Sequence, residues 1–281
     1  MVATFVIFLR EGIEASMIVA ILLAYLDKIG QRRHFRDVFV GVGAAAVLML
    51  GGGTAAYLLL KAYAGSRAQT VFETVTYALA AVVLTYMTFW MRNHARGLSS
   101  GLRTRAEAAL DGRTRFGIGF LAFQAVGREG LETTVFTLAI VFASSGRGVI
   151  LGGAVGLVAA LAFAFAVYRL GAKVDIGRFF TIVGALLMVF AAGLLADAVE
   201  NVQQLGWLPM LGPRLWDTSH ALSEQSSIGD IVHTFFGYAA RPTAGQVAVY
   251  VVYLLVAVGL FLRGRPQRRR GQPAKPAVSG S

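Results

Sequence analysis

Seven apolar segments, each near the length that a helix needs to cross a bilayer, run along the chain. A crossing takes about 20 residues at a rise of ~1.5 Å each. The apolar residues are continuous rather than alternating, so the pattern predicts transmembrane helices and not strands. The segments cover residues 3–27, 38–60, 72–91, 116–143, 149–168, 179–200 and 246–263.

Composition agrees with a membrane protein. Hydrophobic residues make up 56% of the chain and charged residues 15%, below the roughly 25% that is typical of soluble domains. There is no cysteine, which excludes disulfides and thiolate metal sites. We therefore predict one transmembrane domain over residues 1–263, with an extracytoplasmic loop at about 201–245 and a disordered basic cytoplasmic tail at 264–281.

The distribution of basic residues predicts the orientation. Of the 26 lysines and arginines, 19 lie on one side of the predicted spans, five lie on the other, and two lie inside spans. The positive-inside rule then places the N-terminus outside and the C-terminus in the cytoplasm. The net charge of +11 thus reflects topology and contact with anionic membrane lipids, and it does not indicate nucleic acid.

Two spans contain the same charged pattern, Arg-Glu-Gly-Ile/Leu-Glu. One copy occupies residues 10–14 in the first span, and the other occupies residues 128–132 in the fourth. Each charged group inside a membrane helix costs about 2.5–3.5 kcal/mol on insertion scales. Six such groups in two spans therefore indicate a function.

The two copies have matched depths on antiparallel helices. Ala3 and Ala143 mark the predicted outer ends of the first and fourth spans. Glu14 lies eleven residues after Ala3, and Glu132 lies eleven residues before Ala143. This is a depth of about 16 Å, near the middle of the bilayer. The arrangement predicts an all-α integral membrane fold with a 3+3 inverted repeat and one extra helix, in which substrate sites form at the repeat interface.

The motif chemistry fits a cation. Four carboxylates and two guanidiniums leave a formal charge of −2, and an all-oxygen ligand set favours a hard ion such as ferric iron. The alternative is that each Arg–Glu pair is a buried staple between helices, although a staple needs no surplus of acid. We predict Glu11, Glu14, Glu129 and Glu132 as metal ligands, with Arg10 and Arg128 balancing their charge.

The motifs carry a resemblance to a known family. Their sequence and position, with residues 72–92, 191–194 and 235–238, resemble the oxidase-dependent iron transporters, the high-affinity iron permeases, in the bacterial EfeU-type branch. The resemblance implies iron uptake across the inner membrane with the motif glutamates as ligands, and the all-oxygen ligand set favours Fe³⁺ over Fe²⁺. It also implies an extracytoplasmic partner that oxidises or delivers iron, such as an oxidase or peroxidase. A homo-oligomer is compatible with the chain.

Two other classes of function stay open on sequence grounds. One is a proton-coupled carrier of another metal cation or solute, and the other is a non-transporting membrane subunit of an oxidase complex. The four histidines fall in predicted loops without metalloprotease spacing, and no motif for a nucleotide or organic cofactor occurs. A transporter is therefore favoured over an enzyme.

Three acidic residues lie at the predicted outer ends of spans. Glu73 opens the third span, while Asp197 and Glu200 close the sixth. They either form an acidic outer vestibule that gathers cations or simply cap helix ends. The apolar outer segment 201–245 that follows is the predicted docking surface for the partner.

Overall fold

The computed structural model of the chain describes residues 1–94, 98–111, 117–143, 148–170, 176–209, 211–224 and 226–263. Within these ranges the chain is almost entirely helical, with one isolated β-bridge between Arg214 and Thr243. The predicted tail at 264–281 lies outside the described residues. The α-helices are α1 (Val2–Lys28), α2 (Phe35–Ala62), α3 (Arg67–His94), α4 (Leu98–Asp111), α5 (Gly117–Ala143), α6 (Val149–Leu170), α7 (Ile176–Gln204), α8 (Ser227–Phe236) and α9 (Ala244–Arg263), with a 3₁₀ turn at Arg32–His34.

Each predicted span overlaps one of the long helices, namely α1, α2, α3, α5, α6, α7 and α9. Five of these are long and apolar enough to cross a membrane: Arg32–Ala62, Arg67–Met91, Val149–Ala166, Gly177–Gln204 and Ala244–Phe261. The other two, α1 and α5, carry the charged motifs. The all-helical prediction is confirmed, whereas seven crossings and the orientation of the termini stay predictions.

Two short helices lie in segments that the sequence predicts as loops. In α4, Ala106 is fully buried and belongs to an apolar cluster with Leu26 of α1 and Ile118 of α5. Leu102 and Leu110 of α4, four residues to either side of Ala106, pack against the same cluster. This spacing makes one apolar helix face, so a segment too polar to cross a bilayer still folds as a helix against its neighbours.

Small residues allow the helices of the two halves to approach closely. A Cβ on Gly12 of α1 would lie 2.7 Å from the Cβ of Ala160 on α6. A Cβ on Gly130 of α5 would lie 2.7 Å from the Cγ of Met49 on α2. The central glycine of each motif thus admits a helix from the other half of the chain.

A second pair of close approaches repeats this relation. A Cβ on Gly41 of α2 would lie 2.1 Å from the Gly119 carbonyl oxygen on α5, and a Cβ on Gly152 of α6 would lie 2.3 Å from the Met1 carbonyl oxygen. Positions 1 and 119 differ by 118, as do 12 and 130, while positions 41 and 152 differ by 111, as do 49 and 160. The same two sequence offsets therefore relate the members of both pairs of close contacts.

Burial is inverted relative to a soluble protein. Large apolar side chains are exposed along α2, α6 and α9, among them Val47, Leu59, Ile150 and Leu255, which are 67–87% exposed. Buried polar and charged residues instead lie inside: Thr4, Arg10, Glu11, Glu14, Thr76, Thr88, Glu129, Glu132, Thr234 and Gln246. An apolar exterior around a charged interior is the arrangement that a lipid environment favours.

The segment between α7 and α9 is a loop whose two ends are hydrogen-bonded to each other. The Gly245 amide donates to the Leu211 carbonyl and the Ala244 amide donates to the Pro213 carbonyl, both at 3.0 Å. Within the loop, α8 follows the capping residue Ser226 and is terminated by Gly237, which has a φ of 67°. The helix packs against α1 and α7. The loop is therefore joined to the helical core both at its ends and along α8.

Candidate cation site

The first motif copy is fully enclosed by the helix packing around α1. Arg10 is only 2% exposed, and its Nη1 lies 3.0 Å from Glu11 Oε1. Its Nε lies 3.2 Å from Glu14 Oε1, one helical turn further on. Residues three and four apart share a helix face, so the sequence spacing of the motif places both carboxylates beside one guanidinium.

The second motif copy on α5 has the same spacing but a more open arginine. Arg128 Nε lies 3.1 Å from Glu132 Oε1 and 3.9 Å from Glu129 Oε1. The Arg128 side chain is 45% exposed, although both of its carboxylate partners are buried. Its outer side faces Trp90 and Met87 of α3.

The carboxylates of the two copies converge. Glu11, Glu14 and Glu129 each offer an oxygen, and these three oxygens all lie within 4.8 Å of one another. Glu132 completes the cluster, because its buried side chain acts electrostatically on Glu14 and hydrogen-bonds Arg128. The structure thus brings together all six charged residues that the sequence predicts.

Several buried polar atoms of this cluster have no hydrogen-bond partner within the described part of the chain. They are Arg10 Nη2, Glu11 Oε2, Glu14 Oε1, Glu129 Oε2 and Glu132 Oε2. A buried polar atom without a partner costs about 1–3 kcal/mol, and each such atom calls for an explanation. Four carboxylate oxygens directed into one charged interior are a ligand set for a hard cation.

The three predicted vestibule residues, Glu73, Asp197 and Glu200, lie near one another, towards the start of α3 and the end of α7. Glu73 accepts a hydrogen bond from Gln69 Nε2 at 2.6 Å, and Glu200 accepts one from Gln246 Nε2 at 2.8 Å. All three carboxylates, including Asp197, lie close enough to Tyr77 to act on it electrostatically. Because α3 begins at Arg67 and α7 ends at Gln204, these residues lie within the helices and not at their ends.

The prediction that the histidines fall in loops is wrong for three of the four. His34 lies in the 3₁₀ turn, His94 ends α3, and His233 lies in α8. The His233 ring Nδ1 lies 2.7 Å from the Tyr238 carbonyl oxygen. Burial alone would lower the pKa of His233, but Asp197 and this carbonyl, with smaller contributions from Glu224 and Glu200, raise it above its ordinary value. The sequence signal that could have predicted α8, and with it a helical His233, was the capping residue Ser226 followed by an apolar stretch.

Sequence reasoning also missed the surroundings of Arg128. The Arg128 Cζ lies 4.9 Å from the centre of the Trp90 ring, and its Nη2 lies 3.1 Å from the Met87 sulfur. Trp90 and Met87 are three residues apart on α3 and therefore share a face. Residues 83–92 stood out only for their resemblance to a family, and periodicity alone gives no reason to connect them with Arg128.

Long apolar helices around a buried cluster of acidic and basic side chains define a multi-pass membrane protein with an internal polar site. The particular family follows from comparison with known sequences. The profile of the Iron permease FTR1 family matches residues 1–264. The chain belongs to this family, which confirms the resemblance and the prediction of a transporter rather than an enzyme.

Curated relatives agree over nearly the whole chain. The chain is 33% identical over 270 residues to the ferrous iron permease EfeU of Yersinia pestis, covering 93% of each protein. It is 34% identical over 273 residues to the protein of the same name from Yersinia pseudotuberculosis serotype I, and 33% over 267 residues to that of Escherichia coli O6:K15:H31. No solved structure matches the chain.

Proposed function

We propose that the protein takes up iron across the cytoplasmic membrane of a bacterium, and that the motif glutamates Glu11, Glu14, Glu129 and Glu132 bind the ion during passage. The observation that carries this proposal is the convergence of buried carboxylates from two helices, with one oxygen each on Glu11, Glu129 and Glu132 that has no hydrogen-bond partner among the described residues. Arg10 and Arg128 balance part of the negative charge when no ion is bound. A staple needs no surplus of acid, whereas this cluster holds four carboxylates and two guanidiniums.

The proposed path follows an inverted repeat. Helices α1 to α3 and α5 to α7 are the two halves, α9 is the extra helix, and seven helices cross the membrane. Support comes from the constant offsets between equivalent close contacts, of which Gly12 with Ala160 and Gly130 with Met49 are one pair. With the N-terminus outside, the motifs lie near mid-membrane, where substrate sites form between such repeats.

The carboxylate site and the names of the relatives point to different oxidation states of iron. Carboxylates alone favour Fe³⁺ over Fe²⁺ at the motif site. The relatives in Yersinia and Escherichia are named ferrous iron permeases. Both fit if an extracytoplasmic oxidase, peroxidase or delivery protein converts or supplies the iron before it reaches the motifs. This partner docks on the outer loop, where Trp207 and Trp216 are 57% and 47% exposed.

On this proposal Glu73, Asp197 and Glu200 form the outer vestibule. Cations from the partner would first meet these carboxylates around Tyr77 and then pass inward to the four motif glutamates. Glu200 is already held by Gln246 of α9, which fixes the position of its carboxylate without neutralising its charge.

Iron uptake into liposomes that contain the purified protein tests the proposal. Replacing Glu129 with Gln keeps the side-chain volume and removes the charge, so we expect at least about a hundredfold loss of uptake, which corresponds to about 2.7 kcal/mol. The matched control is Glu107→Gln in α4, an exposed glutamate outside the cluster. Ferrous and ferric iron are assayed separately, with and without a pH gradient.

Four results would contradict the proposal. Wild-type protein that moves neither form of iron would exclude iron uptake by the isolated chain, and faster transport of another cation would favour a different carrier. A Glu129→Gln protein that fails to fold but still binds iron would favour the staple. A wild-type protein without any transport, held in a stable complex with an oxidase, would favour the non-transporting subunit.

A further inference from the structure

A partly open groove lies beside the second motif copy. It has a volume of about 590 Å³ and is lined by residues of α2, α3 and α5. Its rim is apolar and exposed, with Leu48 at 55%, Leu79 at 48% and Leu131 at 54%. Arg128 and Glu132 also line the groove, so it leads from the apolar surface to the charged cluster.

Arg128 occupies this groove between two kinds of neighbour. On one side its Nε donates a hydrogen bond to Glu132 Oε1 at 3.1 Å. On the other side its Cζ lies 4.9 Å from the Trp90 ring centre, and its Nη2 lies 3.1 Å from the Met87 sulfur. Aromatic faces and thioethers are partners that can hold a guanidinium without neutralising it.

We propose that Trp90 and Met87 form a receiving site for the Arg128 guanidinium, which leaves Glu132 and rests on these two side chains when a cation binds to the motif glutamates. Trp90 and Met87 are thus positioning residues for transport, and the proposal rests on the function proposed above. Arg10 has no comparable freedom, because it is 2% exposed and lies against both glutamates of its own copy.

The physical reason is the competition for Glu132. A cation that takes this carboxylate displaces a positive charge in an apolar environment, where an unpartnered guanidinium is costly. The face of Trp90 can hold the displaced guanidinium. Because this face provides no oxygen ligand, it does not compete for the incoming cation. Without that face, Arg128 stays on Glu132 and competes with the cation, so affinity falls.

Trp90→Leu tests the receiving site. The variant keeps an apolar side chain and removes the aromatic face, so we expect the KM for iron uptake and the Kd for iron binding to rise about tenfold, with an unchanged melting temperature. Trp90→Phe, which retains an aromatic ring, should recover most of the affinity. The matched control is Tyr57→Leu, an aromatic residue of α2 that is 38% exposed and does not line the groove, and it should leave both values unchanged.

A double-mutant cycle separates this role from simple packing. In an Arg128→Gln background there is no guanidinium to receive, so Trp90→Leu should have no further effect on the Kd for iron, measured by titration of the purified protein. Equal effects of Trp90→Leu in both backgrounds would overturn the receiving site while leaving iron uptake intact. A wild-type protein that neither binds nor transports iron would overturn the proposed function and this inference together.

Discussion

The two motif copies have nearly the same sequence but different surroundings. Their glutamates are equally buried, since Glu11 is 2% exposed and Glu129 is 5% exposed. The arginines differ: Arg10 is enclosed, whereas the Arg128 side chain is 45% exposed in a groove. The carboxylates are therefore the shared element of the site, and the arginines are where the two copies diverge.

The aliphatic residue between the glycine and the second glutamate of each motif shows the same difference in exposure. Ile13 is 1% exposed and packs in a cluster with residues of α3, α6 and α7. Leu131, the equivalent residue of the second copy, is 54% exposed. One copy thus belongs to the packed interior, and the other borders the apolar surface. The motif sequence sets the spacing of the carboxylates, whereas the helices packed on each copy determine how exposed its arginine and its aliphatic residue are.

The largest predicted effect is on stability and compares the two arginines. Arg10→Ala leaves two buried carboxylates without their counter-charge and should lower the free energy of unfolding by about 3–5 kcal/mol. Arg128→Ala removes a half-exposed partner and should cost less than about 2 kcal/mol. Thermal unfolding in detergent measures both. Equal losses would mean that the difference in exposure has no energetic consequence.

An intermediate effect is expected from the motif glycines. Gly12→Ala places a Cβ against the Ala160 Cβ, which is fixed to the backbone of α6, and should cost about 1–3 kcal/mol. Gly130→Ala meets the Met49 Cγ, which can turn aside, and should cost less than about 1 kcal/mol. Melting temperatures of the two variants check the order, and a larger loss at Gly130 would break the comparison.

The smallest effect concerns α8, which packs on α1 and α7. The pKa of His233 is raised in the folded state, so its contribution to stability is complete below about pH 6.5 and is lost as the pH rises through the raised value. Amide hydrogen exchange in α8, corrected for the intrinsic rate, should therefore increase between pH 6 and pH 9 by about two- to fivefold.

His233→Gln is the control for this pH dependence. The variant has no titrating ring to face Asp197, Glu200 and Glu224, so exchange in α8 should no longer respond to pH in this range. A response of equal size in the variant would assign it to another group.

Much of the fold could be predicted because continuous apolar segments have only one stable form in lipid. Each predicted span falls on a long helix of the structure. The short helix α4 was missed because its apolar face is narrow, and Ala106 is small enough to escape a hydropathy search. The end of α8 depends on Gly237 lying against Gly193, a contact between distant positions that no local pattern encodes.

The candidate site was predictable to the level of its charged residues. Spacing within each motif and matched depth between them were enough to expect the four carboxylates together. The exposure of Arg128 was not predictable, because residues 10–14 and 128–132 differ by one aliphatic residue and the distinction arises from other helices. The same holds for Trp90, whose contact with Arg128 depends on where α3 passes α5.

The tied loop between α7 and α9 has a consequence for how the protein can change. Its ends are joined by the hydrogen bonds from Gly245 to Leu211 and from Ala244 to Pro213, and α8 within it packs against α1 and α7. The residues that the structure describes between Pro213 and the cap Ser226 are mostly exposed. Lengthening a loop whose ends are already joined costs little, about 0.6 kcal/mol for each doubling. New sequence can therefore be accepted in this exposed stretch, while the helices on which α8 packs keep theirs.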